Sequence, residues 1–176
     1  MLKRIDLLWL LAYPIYQIIG TIRHEASHAA AAWLEGAEIT KFVFLPSILE
    51  TYGFYWGYVQ WHGATTWIST AAPYFCDLLT FVIFFGLLMT LQIRRHWLLL
   101  NLAVLGMISP LANSLYNYLG GLFRENDIGL LLQTLPSWIV HLYFTITMAF
   151  YLIGIIILYL WRSSSENPTE KGTHVP

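Results

Sequence analysis

The stretch RHEASHAAAAWLEG, Arg23–Gly36, decides how this chain is read. It closes an apolar run that begins near Leu7, yet it sets an arginine, two histidines and a glutamate within two helical turns. In a helix, residues four apart share a face, so His24 and His28 point the same way with Cβ atoms roughly 5 to 6 Å apart. That spacing suits two imidazole nitrogens on one Zn2+ ion. Glu25 stands about 100° around the helix from His24, in reach of a water on such an ion but poorly placed to be a ligand. H-E-x-x-H therefore supplies two metal ligands, His24 and His28, and a general base, Glu25. The small residues Ala26, Ala29, Ala30 and Ala31 let neighbouring helices approach closely. The plainer alternative makes the histidines interhelical hydrogen-bonding groups, but burying Glu25 beside them without a role is expensive.

Working outward, the 176-residue chain is 57% hydrophobic and 11% charged, with a mean hydropathy of +0.59. A soluble domain carries roughly a quarter charged residues, so this composition is that of an integral membrane protein whose surroundings are the lipid bilayer. A net charge of -1 and the lack of a basic run leave no electrostatic footprint for nucleic acid. The single cysteine, Cys76, excludes an internal disulfide framework, and no C-x-x-C offers thiolate ligands. Nothing in the sequence sets the oligomeric state.

Four stretches approach the ~20 apolar residues that a spanning helix requires: Leu7–Leu34, Ala64–Ile93, Trp97–Leu119 with Pro110 inside it, and Pro136–Trp161. The fold expected is an all-α membrane protein, a bundle of about four transmembrane helices with a short β-like hairpin between the first and second. That hairpin falls in GAEITKFVFLPSILETYGFYWGYVQWHG, dense in β-branched and aromatic residues and punctuated by glycines. An edge over TYGFYWGYVQW would be able to take up an extended peptide by strand addition; an interfacial aromatic belt is the other reading of the same residues. Residues 1–162 form one membrane domain, and 163–176, rich in Ser, Glu, Pro and Thr, form a disordered polar tail. Lys3, Arg4, Arg94, Arg95 and Arg162 fall on one side of the spans, against Arg23, Lys41 and Arg124 on the other, which favours both termini in the cytoplasm.

A catalytic zinc needs three protein ligands and an open position. The chain has three aspartates, and Asp6 precedes the histidines by about five helical turns, out of reach. Asp127 follows the third span on the side where the histidines lie, although it also suits the N-cap of the short apolar helix IGLLLQTL. Asp77, in the upper third of the second span, is the alternative third ligand, or else a buried carboxylate bonded to a neighbouring helix. Asn113 and Asn117, one turn apart after Pro110, share a face and suit either substrate binding or interhelical hydrogen bonds. His62 and His141 are weaker alternatives as ligands.

The motif HEASH in the first apolar helix, followed by a glycine-ended turn and a β-like segment, resembles the site-2 protease family of intramembrane zinc metalloproteases, especially its small bacterial branch. STAAPYFCDLL is similar to the family's segment around its second core helix, and ISPLANSLYNYLGGLFRENDIGLLL to the segment that brings the third zinc ligand. The resemblance covers about the first two-thirds of the chain. The prolines and asparagines depart from the family's usual order, and DIG stands where the family has DG. It implies one Zn2+ held by His24, His28 and Asp127, Glu25 as general base, and a membrane-embedded peptide or protein as substrate. The competing expectation is a non-catalytic membrane protein, metal-binding or regulatory, that retains the protease fold.

Overall fold

The computed structural model of this chain describes residues 8–49, 53–91, 93, 95–123 and 126–166. It is mostly helical. Helix α1 (Leu8–Leu34) leads into four short strands, β1 (Glu38–Val43), β2 (Ser47–Leu49), β3 (Gly53–Tyr55) and β4 (Tyr58–His62). Then come α2 (Trp67–Thr90) and α3 (His96–Ala103), and a π turn over Val104–Ile108 joins α3 to α4 (Ser109–Gly121). The short α5 (Asp127–Thr134) and the long α6 (Ser137–Glu166) complete the chain.

Glycine and hydrogen bonding explain how α1 stops. Gly36 adopts a left-handed φ of 91°, and the amides of Gly36 and Ala37 turn back to the carbonyls of Trp33 and Ala32. These bonds satisfy carbonyls that the helix end would otherwise orphan. The chain then runs directly into β1. The expected hairpin is present, and it is longer than a single ladder: β1 pairs antiparallel with β4, Val43 opposite Tyr58, and β2 pairs antiparallel with β3 beyond it.

Strand β4 has a single strand neighbour among the described residues. It is paired with β1 on one side, and at Gly57 it lies on α1, where a Cβ would meet Thr21 Cγ2 at 2.5 Å and Glu25 Cγ at 3.2 Å. The glycine is what lets the hairpin settle onto the histidine-bearing helix.

Three described helices have the length and apolarity to cross a membrane: Trp67–Thr90, Trp97–Gly121 and Ser137–Ser164. The first expected span is helical too, 27 residues long, but Gln17, Arg23, His24 and Glu25 dilute its apolar character, and the expected count of four spans is not confirmed among the described residues. The outward sides of α2 and α6 expose large apolar residues such as Leu79, Ile83, Ile146, Ile153 and Ile156, a surface suited to lipid rather than water. Helix α6 continues to Glu166, four residues into the stretch expected as tail; the rest of that stretch, like Asp6, lies outside the described residues.

Pro110 does not break the third span. It has no N–H to give to the carbonyl one turn back, and the wider π turn just before it absorbs the mismatch. Gly106 in that turn lies hard against α2: a Cβ there would stand 1.9 Å from Phe84 Cγ.

Two buried clusters hold the bundle. One joins α2, α5 and α6 through Ala71, Tyr74, Ile128, Leu131, Val140 and Phe144. The other joins the far half of α2 to the π turn and α6 through Phe81, Leu88, Met107, Tyr151 and Leu158. The first cluster borders the polar residues of α1.

Candidate metal centre

His24 and His28, buried on one face of α1, have ring centroids 4.9 Å apart. The residue that meets them is Asp127. Its Oδ2 stands 3.1 Å from Nε2 of each histidine, and each of the three residues offers one donor atom within 4.8 Å of the others. Donors on a tetrahedral ion with bonds of about 2.0 to 2.2 Å stand roughly 3.3 to 3.6 Å apart. This set of two imidazoles and a carboxylate, with the two 3.1 Å contacts opened slightly, could hold one metal ion.

The local structure explains why Asp127 is free to join them. The residue before it, Asn126, caps α5, its side-chain oxygen accepting from the amides of Ile128 and Gly129 at 3.0 and 3.1 Å. Asn126 also donates to the Asn117 carbonyl at 2.9 Å, fastening α5 to the end of α4. Gly121 makes the turn possible, since a Cβ would fall 2.4 Å from Ile128 Cβ and 2.5 Å from Asn126 Oδ1. The capping role open to Asp127 in the sequence therefore belongs to Asn126, and Asp127, in the first turn of α5, faces α1. Burial alone would raise its carboxyl, but the imidazoles of His28 and His24 outweigh that and hold it well below the usual carboxylate range.

Hydrogen bonding around His28 is informative. Its Nδ1 lies 2.8 Å from the Ser69 carbonyl oxygen, which can only accept, so Nδ1 carries a proton. Its Nε2 then faces the Asp127 carboxylate, another acceptor. Lone pair against lone pair at 3.1 Å is repulsive, and a cation, either a proton or a metal ion, must lie between. Tyr74 donates its hydroxyl to the same Asp127 oxygen at 3.3 Å.

Glu25, also buried, lies against the hairpin, its Cγ 3.2 Å from where a Cβ on Gly57 would stand. Two aromatic rings wall the site: Tyr74, 5.9 Å from the His24 ring, and Trp61 of β4, 6.3 Å from that of His28.

The remaining candidates are placed as follows. Asp77 is 1% exposed and stands outside the donor set; it pairs with Arg23 at 2.7 Å and accepts from Asn113 Nδ2 at 2.7 Å. Asn113 also lies 3.2 Å from His24 Nδ1, and Asn117 donates to Asn113. His141 Nδ1 pairs with the Tyr118 hydroxyl at 2.9 Å, and His62 ends β4 on an exposed position. Neither belongs to the donor set.

Sequence reasoning missed Tyr74, Ser69 and Asn126. Only Asn126 carried a signal, as an asparagine just ahead of an apolar helical run. Comparison with family models, curated proteins and solved structures finds no match to this chain.

Proposed function

We propose that this chain is an intramembrane zinc metallopeptidase that hydrolyses peptide bonds of membrane-embedded substrates. The observation that supports the reading is the convergence of one donor atom each from His24, His28 and Asp127, with His28 Nδ1 turned away to the Ser69 carbonyl so that its Nε2 is left to the group. His24, His28 and Asp127 would hold a zinc ion, which when bound would supply a Lewis acid for a peptide carbonyl and lower the pKa of water toward ~7. The resemblance of HEASH and of the Asp127–Gly129 segment to the site-2 protease family supports the same reading, as does the presence of Glu25 between the ligands, which metal binding alone does not require.

In this reading Glu25 takes a proton from the attacking water at its carboxylate and delivers it to the nitrogen of the departing amine. Tyr74 and Trp61 keep lipid from the reacting groups. A substrate helix hides its carbonyls in bonds to the amides four residues on, so it unwinds locally before cleavage. The multi-pass placement with both termini in the cytoplasm belongs to the same proposal.

Glu25→Gln tests it. The purified variant binds about one zinc, as the wild type does, while hydrolysis of reconstituted transmembrane peptides falls by about 10²- to 10⁴-fold. Unchanged hydrolysis or unchanged biological activity in the variant rejects the peptidase reading in favour of a non-catalytic metal-binding membrane protein.

A further inference from the structure

Helix α5 has eight residues, about 12 Å of helix, and it wedges between α2 and α6 without filling the gap between them. What it leaves is a cavity of about 220 Å³ whose walls include Ala71 and Phe75 of α2, Leu131 and Leu135 of α5, and Ile139 and Tyr143 of α6. Among the described residues, none of α1 or of the hairpin lines it. The cavity lies apart from the candidate metal centre, with Tyr74 between the two: its ring forms part of the cavity wall and packs edge-on to Phe144, while its hydroxyl reaches Asp127.

The depth of the cavity follows from the helices. Tyr74 meets Phe144, and Phe81 meets Tyr151 seven residues further along both helices, so α2 and α6 run parallel and begin at the same end of the bundle. Trp67 and Trp138, both exposed, mark that end, as aromatic side chains mark the level of lipid headgroups. Tyr74 lies two turns deeper, about 10 Å along α2. The cavity therefore stands at the level of the first stretch of acyl chain below the headgroups. Trp67, Phe75 and Ile139, 40 to 43% exposed, give it a rim continuous with the lipid-facing sides of α2 and α6.

Chemistry selects the occupant. The wall is wholly apolar, and the two phenols in it are turned to other partners, Tyr74 to Asp127 at 3.3 Å and Tyr143 to the Tyr74 carbonyl at 3.0 Å. Water needs about two to four polar partners to stay in a cavity, and a peptide backbone would bring in N–H and C=O groups that find none. An apolar cavity of about 150 Å³ stays dry yet takes in a benzene-sized molecule; this one is larger and opens onto hydrocarbon. A methylene chain asks for no polar partner and is what the bilayer supplies at that depth.

We propose that this cavity holds one acyl chain of a bilayer phospholipid, which completes the packing that α5 leaves open between α2 and α6. No metal takes part, so the inference stands apart from the proposed activity.

The test is photolabelling of the full chain in detergent by a phosphatidylcholine that carries a diazirine in one acyl chain, added in equimolar amount, with the adducts mapped by mass spectrometry. The wild type is expected to carry adducts on Leu135 and Tyr143 in excess over those on the outward-facing Ile153 and Ile156. Ile139→Trp narrows the entrance at the rim, and Ala71→Leu fills the cavity from α2. Each is expected to lose the Leu135 and Tyr143 adducts and to keep those on Ile153 and Ile156. Ile139 is exposed, so its variant serves even where Ala71→Leu fails to fold. Equal labelling of the two places in the wild type means general contact with lipid and overturns the proposal. So does cavity labelling that persists in a variant whose thermal transition shows it folded. Cavity labelling displaced by an excess of an apolar transmembrane peptide, but not by an equal excess of unlabelled phosphatidylcholine, makes a peptide side chain the occupant and likewise overturns it. The same pattern is expected in protein stripped of metal, so a failure to hydrolyse peptides leaves this inference standing.

Discussion

The two ends of the bundle are held by different forces. Where α1, α2, α4 and α5 meet, the buried groups are His24, His28, Asp77 and Ser114, and Asp127 and Asn113 bond to them. Where the far half of α2 meets the π turn and α6, the buried groups are Phe81, Leu88, Met107, Tyr151 and Leu158. Lipid tails are as apolar as these side chains, so hydrophobicity contributes little to holding helices together in a bilayer, and the apolar end depends on close packing. Gly106 against Phe84 and Gly154 against Phe81, where a Cβ would lie 2.8 Å from Cζ, are the contacts that allow it. The polar end instead depends on each charge finding its partner, because an unpaired one is expensive in hydrocarbon. Damage at one end should therefore appear as lost ligand binding, and at the other as lost stability.

The largest expected effect is Asp127→Ala. Removing one of three donors leaves two imidazoles and no charge to offset a dication, so zinc content of the purified protein is expected to fall from about one per chain to a trace. Phe81→Ala, at the apolar end, is expected to leave zinc content intact. Elemental analysis of the two variants checks both, and zinc retained in Asp127→Ala breaks the assignment of the third donor.

A finer contrast uses two glycines. Gly121→Ala pushes a Cβ into Ile128 and Asn126, displacing the start of α5 and Asp127 with it. Zinc affinity is expected to drop about tenfold, the lower end of the range for disturbed ligand support. Gly106→Ala puts a Cβ into Phe84. Alanine is the better helix former by about 1 kcal/mol, but overpacking against the ring costs about 1 to 3 kcal/mol, so the thermal transition is expected to fall while zinc affinity holds. If Gly106→Ala weakens zinc as much as Gly121→Ala does, the two ends are not separable.

The division between the ends also marks what the sequence disclosed. His24, Glu25 and His28 were legible because a helix makes spacing into geometry: residues four apart share a face whatever surrounds them. The apolar spans were legible from length and composition. Asp127 against Asp77 was not settled by the residues alone, because the choice turns on which of two neighbours caps α5, and Asn126 and Asp127 both make good caps. The Arg23–Asp77 pair was not read from the sequence, where Asp77 stood only as an alternative ligand or as a carboxylate bonded to a neighbouring helix. The packing of the hairpin on α1 escaped because an alternating pattern says that a segment is a strand, not what it packs on, and that contact follows from Gly57 meeting Thr21 and Glu25 across the fold.

The smallest expected effect belongs to a contact outside both ends. Glu35, just past α1, accepts from the Thr66 amide at 2.8 Å and from the Thr66 hydroxyl, while Thr66 caps α2 through the Ile68 amide. These bonds from Thr66 hold the Glu35 carboxyl below its ordinary value. A carboxyl lowered by folding adds stability above its unfolded pKa of about 4.3, and that stability is lost as pH falls through the lower folded value. Glu35→Gln should therefore lower the thermal transition slightly near neutral pH, the group being exposed and screened by solvent. The gap to the wild type should close as pH falls below about 4. A gap of equal size at neutral and acid pH would mean that the carboxylate charge does not fasten α1 to α2, and that this joint holds by hydrogen-bond shape alone.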